Sequence, residues 1–275
     1  MKIYAVSNIK GGVGKTTTAV NLAYLCAVGG VRTLLWDLDS QGGATYLLRG
    51  EPQEQASAKK LVAGKRELPE LIAPTGYAGL DLLPADFSYR NFAVQLAERR
   101  HPTERLLKMS RSLREIYGAL FLDCPAGISL LSENVLRAAD VVIVPLVPSP
   151  LSIRMLRELY RFVAHEGWID LVLVPFFSMV DRRRSLHLEL MSDARAEFPA
   201  ILDTEVPYRS EIERMSQRRT PVAAASGANE AALIYRQLWR EIAALTEPAA
   251  AAGAVPAAEP RALQSSVPEE ILQRP

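Results

Sequence analysis

Ser7-Asn8-Ile9-Lys10-Gly11-Gly12-Val13-Gly14-Lys15-Thr16-Thr17-Thr18 follows a short apolar run, Ile3 to Val6, and opens a segment, Ala19 to Ala27, that reads as a helix. Strand, glycine-rich turn and helix, in that order, form the setting in which a Gly-Lys-Thr ending carries chemistry. Glycines let the backbone curl so that successive N–H groups point inward, and the helix N-terminus adds partial positive charge. Such a nest suits a polyphosphate. Lys15 is placed to reach β- and γ-phosphates, and the Thr16 hydroxyl to ligate Mg²⁺.

Composition narrows the class. The chain has 275 residues, enough for one large α/β domain or two small ones. Apolar residues make up 49% and charged residues 23%, as in an ordinary globular protein. Net charge is +1, so no global field draws the chain to nucleic acid or anionic lipid, and any such binding must come from a local patch. Cys26 and Cys124 lie far apart, which argues for a reducing compartment and against a disulfide scaffold. No signal peptide and no apolar run of transmembrane length is read, so the expectation is a cytoplasmic protein with no membrane association.

Taken in order, Ile3 to Asn8 and Val31 to Asp37 read as strands covered on both faces, the second delivering Asp37-Leu38-Asp39-Ser40-Gln41-Gly42 at its C-terminal end. Helices are predicted over Gln53–Val62, Ala85–Glu98 and Thr103–Tyr117, with a strand at Leu80–Pro84. Ala119 to Asp123 is an apolar strand that carries a carboxylate toward the Mg²⁺ shell, a Walker B pattern. Strands at Asp140–Val147 and Ile169–Phe177 flank a helix at Leu151–Glu166. A helix from Arg182 to Phe198, a last strand at Leu202–Val206, and helices at Glu211–Arg219 and Asn229–Leu245 complete residues 1–246. From 247 to 275 the composition turns to alanine and proline and predicts a disordered tail. Roughly seven strands alternating with helices give a doubly wound, mostly parallel α/β sheet with helices on both faces. His101, His165 and His187 show no triad or metal spacing.

The phosphate loop departs from G-x-x-x-x-G-K-[ST] by carrying Ile9 where glycine is usual and a second lysine, Lys10. K-G-G-V-G-K-T resembles the deviant Walker A of the ParA/MinD family of P-loop ATPases. The resemblance covers about residues 1 to 246. It implies that Lys10, Gly11, Gly12, Val13, Gly14, Lys15, Thr16 and Thr17 bind ATP, with Lys10 crossing a dimer interface to the partner's phosphates. Asp37-Leu38-Asp39-Ser40-Gln41-Gly42 resembles the family's switch I, with Ser40 where proline is usual. Asp39 is thereby expected to orient the attacking water or hold the metal shell. Asp123-Cys124-Pro125-Ala126-Gly127 resembles its Walker B. Thr16, Asp39 and Asp123 are the expected metal residues, and Lys10, Lys15 and Asp39 the catalytic ones. Pro207-Tyr208-Arg209-Ser210 is similar to the segment near the nucleotide base. Relatives often read adenine with an asparagine where this chain has Ser178 and Met179.

The function implied is a slow ATPase, stimulated by a ParB-like or other cargo protein, that dimerises with ATP and Mg²⁺ and binds nonspecific DNA as the dimer. Nucleoid association would follow. Candidate phosphate contacts are Arg182, Arg183, Arg184, Arg209, Arg214, Arg218 and Arg219, which read equally well as scattered surface arginines. A relative serving a secretion, chemotaxis or polysaccharide-synthesis machine is the alternative. A MinD-like membrane regulator needs a basic amphipathic C-terminal helix, which Glu269, Glu270 and the nearby prolines do not supply. A relative resembling nitrogenase iron protein would hold a cluster between cysteine pairs, and this chain is short of those ligands because Cys26 falls inside the first helix. No helix-turn-helix extension is read before the first strand.

Overall fold

The computed structural model describes residues 1–49, 58–85, 87–225 and 229–246. The tail read from residue 247 and the first part of the helix read from Gln53 lie outside the described residues.

Eight strands form the sheet: β1 (Lys2–Val6), β2 (Thr33–Asp37), β3 (Ala73–Pro74), β4 (Leu80–Leu83), β5 (Ala119–Asp123), β6 (Val141–Leu146), β7 (Val172–Val180) and β8 (Val206–Pro207). Their spatial order is β3-β4-β2-β5-β1-β6-β7-β8, all parallel but the β3 edge. The helices are α1 (Lys15–Val28), α2 (Gly43–Arg49), α3 (Ala58–Val62), α4 (Phe92–Ala97), α5 (Arg105–Ser110), α6 (Leu130–Ala138), α7 (Pro150–His165), α8 (Ser185–Glu197), α9 (Ser210–Glu213), α10 (Met215–Arg218) and α11 (Glu230–Thr246). The doubly wound α/β fold expected from the sequence is the fold observed.

Successive side chains of a strand point to opposite faces, so an apolar run fills two cores at once. Ile3, Leu34, Trp36, Leu120 and Leu122 enter one core with residues of α3 through α8. Tyr4, Val6, Leu35 and Phe121 enter the other with α1, α2, α10 and α11. Tyr4 and Phe121 are register partners on β1 and β5 and stack at 4.8 Å. Trp239 of α11 closes on both, at 5.6 and 5.8 Å between ring centres. Contacts of this kind add about 0.5–1.5 kcal/mol beyond area burial. Serine caps set two helix starts: Ser129 accepts from the Ser132 N–H before α6, and Ser149 from the Ser152 N–H before α7, where Pro150 occupies the first turn.

Boundaries differ where side chains take over backbone bonds. Asn8 leaves β1 because its amide bonds the Pro145 carbonyl at 2.7 Å and its oxygen accepts from Lys10 N at 2.9 Å. The segment Thr103–Tyr117 is not one helix but a short 3-10 turn (Pro102–Glu104), α5 and a second turn (Arg111–Leu113). Ser110 and Ser112 hydroxyls bond carbonyls three residues back, which competes with helix propagation. Tyr117 is held instead by Asp81, at 2.8 Å. β7 starts later and runs on through Val180, because Trp168 and Ile169 are still in the turn that ends α7. Arg182, Arg183 and Arg184 therefore precede α8 rather than begin it. The last strand is only Val206–Pro207.

Asn21 fixes α1, the helix that carries the phosphate loop, to the C-terminal layer. Its amide donates to Thr17 O at 2.8 Å, and its oxygen accepts from Ala223 N at 2.8 Å in a fully buried bond. Asn21→Leu strands the Ala223 N–H away from water. It is expected to lower stability by about 2 kcal/mol, read as a fall in urea midpoint at unchanged m-value.

Candidate active site

The loop between β1 and α1 is built on two left-handed glycines, Gly12 (φ 69°) and Gly14 (φ 88°), a conformation that other residues adopt at a cost. A Cβ on Gly14 would also meet Ser178 Oγ at 3.3 Å. Val13 is fully buried and anchors the loop. Asn8 ties it to the end of β6, and the Gly127 N–H donates to Ile9 O at 2.9 Å, so the turn after β5 braces it from the other side. Gly14 caps α1 without a side-chain bond, which leaves the first-turn N–H groups facing the loop.

Three carboxylates and two lysines meet here. Asp37 and Asp123 are register partners at the C-terminal ends of β2 and β5, both fully buried. Asp37 accepts from Thr45 N and Thr45 Oγ1, each at 2.8 Å, and from Asp39 N at 3.1 Å. Burial nevertheless pushes its carboxyl up to about 6 against those donors. Neither oxygen of Asp123 makes a hydrogen bond of normal geometry among the described residues. Burial and the neighbouring Asp37 raise it well above the usual carboxylate range, and the nearby Thr16 hydroxyl and Lys15 only partly offset them. Lys15 is buried, its Nζ donating to Lys10 O at 3.2 Å. Desolvation lowers its affinity for a proton, while Asp123, Cys124 and Asp39 oppose that shift. Asp39 is half-buried, its Oδ1 accepting from Gln41 N at 3.0 Å. Gly43 packs so closely that a Cβ would stand 3.1 Å from Thr16 Cγ2.

Next to the loop, Gly14, Thr17, Ser178, Met179, Pro207 and Tyr208 line a solvent-open cleft of about 70 Å³. Pro207 thus lies on the same cleft as the loop residues Gly14 and Thr17. Met179 stands at positive φ (55°) where β7 and β8 slip register, and the Tyr208 hydroxyl donates to Glu213 across the mouth.

The comparisons agree with this geometry. The family described as an AAA domain matches residues 1–166. The chain is 30% identical over 250 residues to the chromosome partitioning protein ParA of Caulobacter vibrioides, covering 88% of this chain and 94% of that one. It is 28% identical over 249 residues to the sporulation initiation inhibitor protein Soj of Bacillus subtilis, covering 88% and 98%. Cobyrinic acid a,c-diamide synthase from Mycobacterium smegmatis, crystallised with ADP and magnesium, superposes with a TM-score of 0.73 at 26% identity, covering 88% and 94%. The chain belongs to the ParA/MinD family of P-loop ATPases. Among the described residues no helix is long and apolar enough to cross a membrane.

The ParA/MinD assignment bears on what the carboxylates can hold. Among the described residues no three carboxylate, imidazole or thiol groups gather closely enough to hold an ion alone. Mg²⁺ usually binds through one or two carboxylates plus substrate phosphates and water, and the orphaned oxygens of Asp123 beside the Thr16 hydroxyl fit that donor set. Sequence reasoning missed Asp37. Its signal was the paired aspartates at one strand end, which the β2–β5 register sets against Asp123.

The seven arginines are less uniform than their spacing suggested. Arg182 pairs with Glu205 at 3.0 Å, Arg183 with Asp181 at 2.8 Å, and Arg209 with Glu230. Arg219 lies over the Tyr46 ring at 4.2 Å. Arg184, Arg214 and Arg218 are exposed and have no ion pair among the described residues.

A carboxyl raised from 3.8 to about 6 in the folded state favours the protonated form. Its contribution to stability is complete below the unfolded value and lost as pH rises through about 6. The metal-free, nucleotide-free protein should therefore gain about 2 kcal/mol between pH 7.5 and 4.5 from this group. Asp37→Asn should flatten that slope in urea titrations, and an unchanged slope would place the proton elsewhere.

Proposed function

We propose that this chain is an ATP-gated dimer switch that positions DNA or another large cargo, hydrolysing ATP slowly until a partner stimulates it. The observation that carries the reading is the pair of lysines at one loop. Lys15 is buried and bent over the nest, whereas the half-buried Lys10 engages its own chain through backbone atoms, and its ammonium has no partner among the described residues. A cation standing at a phosphate site without a local task suits a bound nucleotide in a facing subunit.

Phosphoryl transfer depends mainly on positioning and charge neutralisation. Residues 11–17 would cradle the phosphates through backbone N–H groups, and Lys15 would neutralise the β- and γ-oxygens. Thr16 and Asp123, with Asp39 beside them, would hold Mg²⁺, which supplies charge stabilisation on the transferring phosphoryl group. Asp39, on the segment tied down by Asp37 and Thr45, would orient the attacking water. Pro207 and Tyr208 would flank the base. Supply of Lys10 across the interface makes hydrolysis depend on assembly. Residues 1–246 form the working unit in this reading, and nonspecific DNA is the favoured surface, contacted through Arg184, Arg214 and Arg218. The ion pairs of Arg182, Arg183 and Arg209 favour the second reading, a protein machine as cargo, because they remove cations from the DNA-facing set.

Three variants separate these roles. Lys15→Ala should weaken ATP binding at least tenfold by fluorescent-nucleotide titration. Lys10→Ala should retain nucleotide yet remain monomeric by light scattering. Asp39→Ala should bind ATP, lose at least tenfold in turnover and accumulate as the dimer. A monomeric Asp39→Ala protein in saturating ATP would contradict the switch.

For the DNA arm, Arg184→Glu with Arg214→Glu should abolish the ATP-dependent part of duplex binding. Retained binding would move the cargo question to a protein partner.

A further inference from the structure

We propose that a basic cavity on the α5 side of the fold is a second docking site, independent of nucleotide, for the phosphate backbone of nucleic acid. The cavity measures about 220 Å³ and is walled by Arg100, His101, Arg105, Lys108 and Arg111, with Glu104 and Leu107 completing it. It lies on a different part of the chain from the ATP site and shares no lining residue with the cleft beside the phosphate loop.

The local charge is what sets this surface apart in a chain of net charge +1. Residues 99–114 contain six Arg or Lys against a single acid, Glu104, and that acid is spent on Arg137 at 3.0 Å. Arg105, Lys108 and Arg111 recur every third residue and so share one side of α5 and the turn after it. Arg100, Lys108 and Arg111 are exposed and have no ion pair among the described residues. Arg105 spans to Val62 O at 3.1 Å, at the end of α3, a helix on which Lys59 and Lys60 are exposed. Its Nε is shielded from solvent without an acceptor among the described residues, a donor that an anion would satisfy.

The site is rigidly backed. Asn134 of α6 donates to Pro102 O at 2.7 Å and accepts from Leu106 N at 3.2 Å, so the cations stand on a frame fixed before any ligand arrives. A phosphate backbone suits it better than a protein surface. Clustered cations neutralise phosphates without reading bases, while protein interfaces are centred on buried apolar anchors, and Leu107 alone lines this cavity with an apolar side chain. All its groups come from one subunit, so neither ATP nor dimerisation is needed to assemble it.

The test is fluorescence anisotropy of a labelled random-sequence duplex with the full chain, in ADP and in ATP, across a salt series. Salt-sensitive binding is expected in ADP. Lys108→Ala with Arg111→Ala should weaken it at least tenfold and make the log–log salt slope shallower by about 2, near 0.9 per lost phosphate contact. Lys108→Glu with Arg111→Glu should abolish it at unchanged ATPase rate and thermal midpoint. No duplex binding in ADP at low salt, wild-type affinity in the double variants, or tighter binding of polyglutamate than of duplex at equal charge would each overturn the proposal. The ATP-dependent increment, lost in Arg184→Glu with Arg214→Glu and kept in the α5 variants, reports separately on the dimer switch.

Discussion

Two carboxylates, Asp37 and Asp123, face each other across adjacent parallel strands with no solvent exposure. Charges in such a place must be paired, hydrogen-bonded or neutralised, because an isolated buried ion costs several kcal/mol even after relaxation. The protein uses a different solution for each. Asp37 gathers three donors, two from Thr45 and one from the Asp39 backbone. Asp123 is given none of normal geometry, and its nearest cation, Lys15, is itself desolvated. Burial therefore favours the protonated form of both carboxyls, Asp123 above all. A cation alone finds too few ligands here, whereas Mg²⁺ takes one or two carboxylates together with substrate phosphates, so nucleotide and metal suit the site best together.

The same constraint organises the neighbouring loops. Asp37 is a positioning residue: it holds the backbone N–H of Asp39 and the start of α2, and Thr45 passes the connection on by accepting from Ala85 N at 3.0 Å at the end of β4. The segment carrying Asp39 is fixed at both ends, while the Asp39 carboxylate remains half-exposed. A fixed backbone with a reachable carboxylate is what water positioning requires. Gly43 adds a steric counterpart, since a Cβ there would stand 3.1 Å from Thr16 Cγ2, so the start of α2 packs tightly against the Thr16 side chain.

Most of this was legible in the sequence because the decisive features are local. The phosphate loop, the D-x-D strand end and the apolar run ending at Asp123 are each contiguous, and their meaning comes from following a buried strand. What could not be read depends on register and on long-range bonds. The facing of Asp37 and Asp123 requires β2 to lie next to β5, which are more than eighty residues apart. Asn8 looked like strand and is a brace to β6. The break-up of Thr103–Tyr117 turned on serine hydroxyls and on Tyr117 reaching Asp81, neither visible in a hydrophobic period. β3 is two residues long and contains a proline, too little pattern to register as a strand.

Arginine content misleads for a related reason. A cation's availability is set by its neighbours in space: Glu205 before β8, Asp181 in the β7–α8 turn and Glu230 at the start of α11 come onto Arg182, Arg183 and Arg209. Exposed pairs of this kind contribute little to stability, yet each one diverts a guanidinium from an outside anion, which would have to displace the carboxylate first. The α5 segment shows the opposite arrangement, with its one acid turned to Arg137 and its cations left facing outward. A loop-borne lysine without a local partner, Lys10, belongs to the same class of signal. In this fold the informative charges are those that the chain's own geometry leaves unanswered.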